Sequence, residues 1–197
     1  MKKIDASIIL GLIFTLIIGN FNGFAKECEN VTTQVLRLHV LANSDADYDQ
    51  ELKLKVRDAI LNSTSEKLNC DSLDKAQEVA ISSLGDIEKI AEQTIKENGY
   101  NYTVKAEIVN MFFDTRYYEN VTMPAGKYKA LRVTIGSGQG KNWWCVLYPP
   151  LCVSPAIATD YDEIQVCTKN GFKAKFKIVE WFETAKNYLE NLFSENT

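Results

Sequence analysis

The run TQVLRLHVLANSDADYDQELKLKVRDAIL (residues 33–61) holds a strand, a stop and a helix start in direct succession. Over residues 33–43, polar Gln34, Arg37 and His39 are set among Val35, Leu36, Leu38, Val40 and Leu41. That density of β-branched and aliphatic residues predicts a strand buried on at least one face. SDAD (44–47) then supplies short polar side chains for the unpaired amides of a helix start, and Asp47 with Gln50 has the spacing of a capping box. From there the period becomes helical. Tyr48, Leu52, Val56, Ala59 and Ile60 fall on one face, and Lys53, Lys55, Arg57 and Asp58 occupy the others.

Downstream, Asp71-Ser72 opens a second helical pattern that stops at Asn98-Gly99, with Gly85 placed to bend or divide it. The period then shortens to two. Residues 100–113, 126–138 and 142–150 read as strands bounded by Gly, Pro or Asn, and the glycine-rich turn 136–140 predicts that the last two form a hairpin. Asn170-Gly171 precedes an amphipathic C-terminal helix bearing Ile178, Trp181, Phe182, Ala185, Leu189 and Phe193, and 151–170 is expected to be an exposed loop. The expected fold is α+β: an antiparallel sheet of about four strands covered by two N-terminal helices and one C-terminal helix.

Upstream, Lys2 and Lys3 precede the uncharged apolar run ASIILGLIFTLIIG (6–19), and GFA (23–25) has the small residues of a cleavage site. Residues 1–25 therefore read as a secretory signal peptide, with an N-terminal membrane anchor as the alternative, since a helix over 6–25 spans about 30 Å. Either way residues 26–197 form a single extracytoplasmic domain. A chain of 197 residues with 46% hydrophobic and 24% charged residues suits one ordinary globular body. The net charge of -4 gives no attraction to nucleic acid, and membrane contact is expected only through the signal or anchor segment.

Outside the cytoplasm, cysteines can pair. Five lie beyond the signal, at 28, 70, 145, 152 and 167. Their full connectivity stays open, but Cys145 and Cys152 flank Pro149 and Pro150 and form the candidate clasp. No C-x-x-C pair is present to hold zinc. His39 is the only histidine, so every His-dependent catalytic or metal arrangement must use it. A His39–Asp45–Asp49 metal set can be drawn, but nothing constrains its geometry. A Cys145 or Cys152 nucleophile would sit among Trp143, Trp144, Val146 and Leu147, apolar neighbours that raise a thiol pKa. GSGQG (136–140) lies between two strands, so it lacks the helix start that a phosphate cradle needs. Hence no catalytic residue, metal or cofactor is expected. Trp143 and Trp144 should face opposite ways in a strand, one of them outward as an interface anchor.

The blocks LRLHVLANSDADYDQELKLKVRDAIL (36–61) and MPAGKYKALRVTIGSGQGKNWWCVLYPPLC (123–152) resemble the stage II sporulation protein R family of endospore-forming bacteria. The resemblance implies a signalling protein exported from the forespore into the intermembrane space. There it activates a membrane-embedded aspartic protease of the mother cell, which processes pro-sigma-E. It is not an enzyme on this reading. Carried over to this chain, the partner-binding residues are Arg37, His39, Asn43, Ser44, Asp45, Asp49, Gln50, Arg57, Asn142, Trp143 and Trp144. The strand end at His39–Asp45 and the Trp-Pro loop are expected to form one face. FFDTRYYEN (112–120) lacks the proline expected of the family's middle block, and residues 155–197 depart most from its pattern. The rival expectations are a cell-wall-associated hydrolase, which would need His39 for turnover, and a glycan-binding module, which would stack an exposed tryptophan on sugar.

Overall fold

Leu36–Leu41 forms strand β1, and its first five residues are all buried, so both of its faces are covered. A strand buried on both faces needs a layer on each side of its sheet, and a central place in that sheet also pairs both of its edges. That is its position in the computed structural model, which describes residues 2–117, 122–149 and 173–194. The described elements are helix α1 (Lys2–Gln34), β1, α2 (Asp47–Thr64), α3 (Leu73–Ser82), α4 (Leu84–Glu97), β2 (Val104–Phe113), β3 (Arg116–Tyr117), β4 (Thr122–Met123), β5 (Gly126–Ile135), β6 (Asn142–Tyr148) and α5 (Lys173–Ser194). The class is α+β, as expected.

The principal sheet runs β2-β5-β1-β6. β1 is parallel to β5, with His39 opposite Arg132, and antiparallel to β6, with His39 opposite Trp144. The sheet is therefore mixed. The expected β5–β6 hairpin is replaced by an insertion: the glycine-rich turn still links the two strands, but β1 occupies the slot between them. The long helix expected over 71–98 is also two helices, divided at Ser83 with Gly85 in the first turn of α4.

The chain divides into two compact units. The first comprises the described residues of Gln34–Met111 and Lys127–Tyr161. Leu36, Leu38 and Val40 of β1 pack with Leu131, Val133 and Ile135 of β5 against Leu52, Val56 and Ile60 of α2 and Ile87, Ala91 and Ile95 of α4. Each fully buried aliphatic side chain here stabilises by roughly 1.5–3 kcal/mol before the entropy of ordering it is subtracted. Three helices, α2 to α4, thus supply this core, where the sequence had suggested two. The C-terminal helix belongs to the other unit.

That second unit comprises the described residues of Met1–Thr33, Phe112–Gly126 and Asp162–Thr197. It holds α1, the β3–β4 ladder and α5. α1 buries Phe24, Cys28 and Val31 at helical spacing, and the Phe24 ring meets Phe176 of α5 edge-on with centroids 5.1 Å apart. The helix runs through Ala25, the residue after which cleavage is expected. The 151–170 loop, Pro150, Cys152 and Cys167 lie outside the described residues.

Candidate functional site

At the C-terminal end of β1 the backbone leaves the sheet through Ala42–Ala46, and the turn 136–140 arrives beside it from β5. Short polar side chains tie the two. Asn43 accepts from the Ser137 amide through Oδ1 (3.0 Å), and its carbonyl accepts from Ser137 Oγ (2.6 Å). Asp45 Oδ1 accepts from the Lys141 amide (2.7 Å), and Gly140 N donates to Ala42 O (2.9 Å). Two glycines make this approach feasible. Gly136 has φ +56°, which disfavours side chains, and a Cβ on Gly140 would collide with the Ser44 carbonyl.

Asp49, on the first turn of α2, is the hub beneath that loop and is buried. Its Oδ2 accepts from Ser44 Oγ (2.6 Å) and Asn43 Nδ2 (2.9 Å). Burial pushes the carboxyl pKa up, but the hydrogen bonds from Ser44, Asn43 and Tyr102 together outweigh it and hold the group below its ordinary value. The expected capping box is rearranged. Ala46 is the N-cap residue, without a side-chain cap, and Asp47 is already helical. Gln50 instead donates to Ser44 O (2.8 Å) and accepts from Lys53 Nζ (2.6 Å), which also donates to Lys141 O (2.8 Å). Lys53 is buried, and that burial lowers its pKa.

On the sheet face that carries Arg37 and His39, the four strands present a transverse row. Trp144 of β6 stacks on His39 of β1, with ring centroids 3.9 Å apart and planes within 5°. His39 lies in register with Arg132 of β5, whose Nη2 donates to Oε1 of Glu107 on β2 at 2.6 Å. Asn142 completes the group, its Oδ1 accepting from His39 Nε2 (2.9 Å). Burial lowers the His39 pKa, and Arg132 and Arg37 add to the effect while Asn142 opposes it, so the ring favours its neutral form. Arg37 is fully buried, with its guanidinium 5.0 Å from the Tyr128 ring centre. Glu107 is held below its ordinary pKa by Arg132 and then by Lys105.

Trp143 points the other way, toward the helices, as strand alternation requires. Arg57 of α2 lies 4.2 Å above its ring centre. The eleven residues expected to bind the partner therefore fall into three settings. Asn43, Ser44, Asp45, Asp49 and Gln50 lock the loops. Arg37, His39, Asn142 and Trp144 share one sheet face, and Arg57 with Trp143 lies on the opposite face. Arg132 and Glu107 join the row without having been expected there. Alternation alone places Glu107 on the polar side of its strand, but pairing it with Arg132 requires knowing that β2 neighbours β5. Of the proposed clasp, Cys145 is buried on β6.

The sequence profile of the family described as stage II sporulation protein R matches residues 32–158. That stretch carries every residue of the loop lock and of the transverse row. The stage II sporulation protein R of Bacillus subtilis (strain 168) is 41% identical over 162 residues, which cover 77% of this chain and 71% of that protein. No solved structure matches. With more than half of the chain matched by the profile and a relative this similar, the chain belongs to the stage II sporulation protein R family and has its role in sporulation.

Proposed function

We propose that this chain is a secreted signal, exported across the forespore membrane by residues 1–25, cleaved or retained as an anchor. In the intermembrane space it activates the membrane-embedded aspartic protease that processes pro-sigma-E in the mother cell. The extracytoplasmic body acts as a ligand with no bond-breaking chemistry of its own. It binds one state of the protease more tightly than the other, and only that difference in affinity can shift the balance between them.

The observation that supports this reading is the meeting of the two family blocks at one end of the sheet. Asp45, Asn43 and Lys53 pin the turn from β5 to β6 against the start of α2, so exposed Asn142 and half-buried Trp144 and Arg132 are presented on fixed backbone. A face already ordered loses little entropy on binding. A disulfide clasp between Cys145 and Cys152 would hold the other end of β6. In its favour, Cys145 and Cys152 stand seven apart with Pro149 and Pro150 between them, and Cys70 is a free thiol.

The test is co-expression of the exported chain, the protease and its pro-sigma substrate in a host that does not sporulate, with cleavage followed by immunoblot. Processing that requires all three components is expected. Processing without this chain, or cleavage of the substrate by the purified chain alone, would sink the proposal.

A further inference from the structure

Helix α5 is built inside out. Phe176 and Val179 are buried near its start, and the half-buried residues that continue the same side are Glu180, Glu183 and Asn187. Glu180 is held there by Lys177 Nζ (2.7 Å) and by Thr115. The opposite side is apolar over the helix length. Ile178, Phe182, Ala185, Leu189 and Leu192 follow alternating spacings of four and three, and all are exposed. Trp181 at 76%, Phe193 at 74% and Tyr188 at 65% widen the stripe. A soluble helix places such a stripe inward, and one this long exposed to water marks a contact surface.

The composition of its borders decides what covers it. A second copy paired as a coiled coil would want a narrow seam flanked by charges. Here the flanking positions carry Trp181, Tyr188 and Phe193. On the helical wheel Trp181 and Tyr188 line one border, beside Lys177 and Thr184, and Lys186 stands at the other. Apolar side chains in the centre, amphipathic rings at one rim and lysine stems at both match a bilayer boundary, where rings sit at headgroup level and lysines reach outward. The surface is also continuous in kind with α1 of the same unit, which exposes Ile8, Ile9 and Leu12 upstream of the Phe24–Phe176 contact.

We propose that α5 is an interfacial helix: its outward stripe lies in the headgroup–acyl boundary of a lipid bilayer, with the helix axis in the membrane plane. Membrane contact then extends beyond the N-terminal segment to which the sequence had confined it. The proposal stands independently of protease activation.

The chain has three tryptophans, and only Trp181 lies on this helix. The full chain is mixed with vesicles of phosphatidylcholine and phosphatidylglycerol carrying brominated acyl chains, which quench only tryptophans that reach them. Quenching is expected for the full chain and is lost in Trp181→Phe, even where α1 alone holds the protein on the vesicle. Phe182→Glu with Leu189→Glu keeps Trp181, alters only exposed positions, and should also lose the quenching. Unquenched Trp181 in the unaltered chain overturns the proposal, and so does full quenching in the double-glutamate variant. A chain that self-associates through α5 gives the first of these results.

Discussion

A carboxylate buried under a loop is stable only while its donors hold it, and Asp49 has Ser44 and Asn43 at 2.6 and 2.9 Å. Asp49→Ala leaves both donors without their acceptor. It should lower stability by about 1–3 kcal/mol, seen as a fall of several degrees in melting temperature. Because the folded pKa is depressed, Asp49 contributes stability above the unfolded value near pH 4 and loses it as pH falls through the folded value. Asp49→Asn should therefore flatten the acid limb of urea midpoints taken between about pH 5 and 2. His39 has the same sign at a higher pH. Its folded pKa is lowered by burial, so its contribution is complete above the unfolded pKa near 6.5 and declines below it. Urea midpoints of the unaltered chain should drop between about pH 7.5 and 5.5, and the drop should shrink in His39→Gln. These two residues were legible in sequence as special, but their roles were not. A capping motif near Asp47 and a hub at Asp49 differ by two positions, and local pattern cannot say which carboxylate the returning turn will cover.

Helix and strand types were largely legible because apolar spacing switches cleanly between 3.6 and 2 along the chain. Adjacency was not. Residues 126–148 look like a hairpin to any local rule, since a short glycine turn links two strands. The winning arrangement depends on β1, about 90 residues upstream, which pairs both its edges by lying between them. The split at Ser83 has a simpler cause. Helical pattern passes through Gly85, and open space surrounds the position where its Cβ would stand. Gly85→Ala should therefore stabilise the protein by about 0.5–1 kcal/mol through helix propensity and a less flexible unfolded chain. Thermal unfolding followed by circular dichroism checks the sign.

In the whole molecule, the proposed signalling role assigns separable contributions to the transverse row and the loop lock. Substitutions in the lock should lose activity by losing fold. Asn142→Ala with Trp144→Ala removes the β6 side chains of the row and leaves the loop hydrogen bonds of Asn43, Asp45 and Lys53 intact. That pair should cut pro-sigma cleavage in the co-expression assay at least about tenfold, the loss of about 1.4 kcal/mol of differential binding. Its melting temperature should fall far less than that of Asp49→Ala. Family membership was legible from two long ordered blocks. The outward-facing apolar side of α5 was visible in sequence only as amphipathicity, because a wheel shows that a helix has two sides and not which one its neighbours take.

The central position of β1 also dictates when the sheet can exist. A polypeptide threaded through a translocation pore N-terminus first delivers β1 early, yet its two hydrogen-bonding partners end at Ile135 and Tyr148. Until β5 emerges β1 has both edges bare, and until β6 emerges it still has one, so vectorial folding from the leading end is barred for this sheet. On the proposed export route the chain would stay threadable until most of it had crossed, and long-range closure of this kind places its folding toward the slow end of single domains.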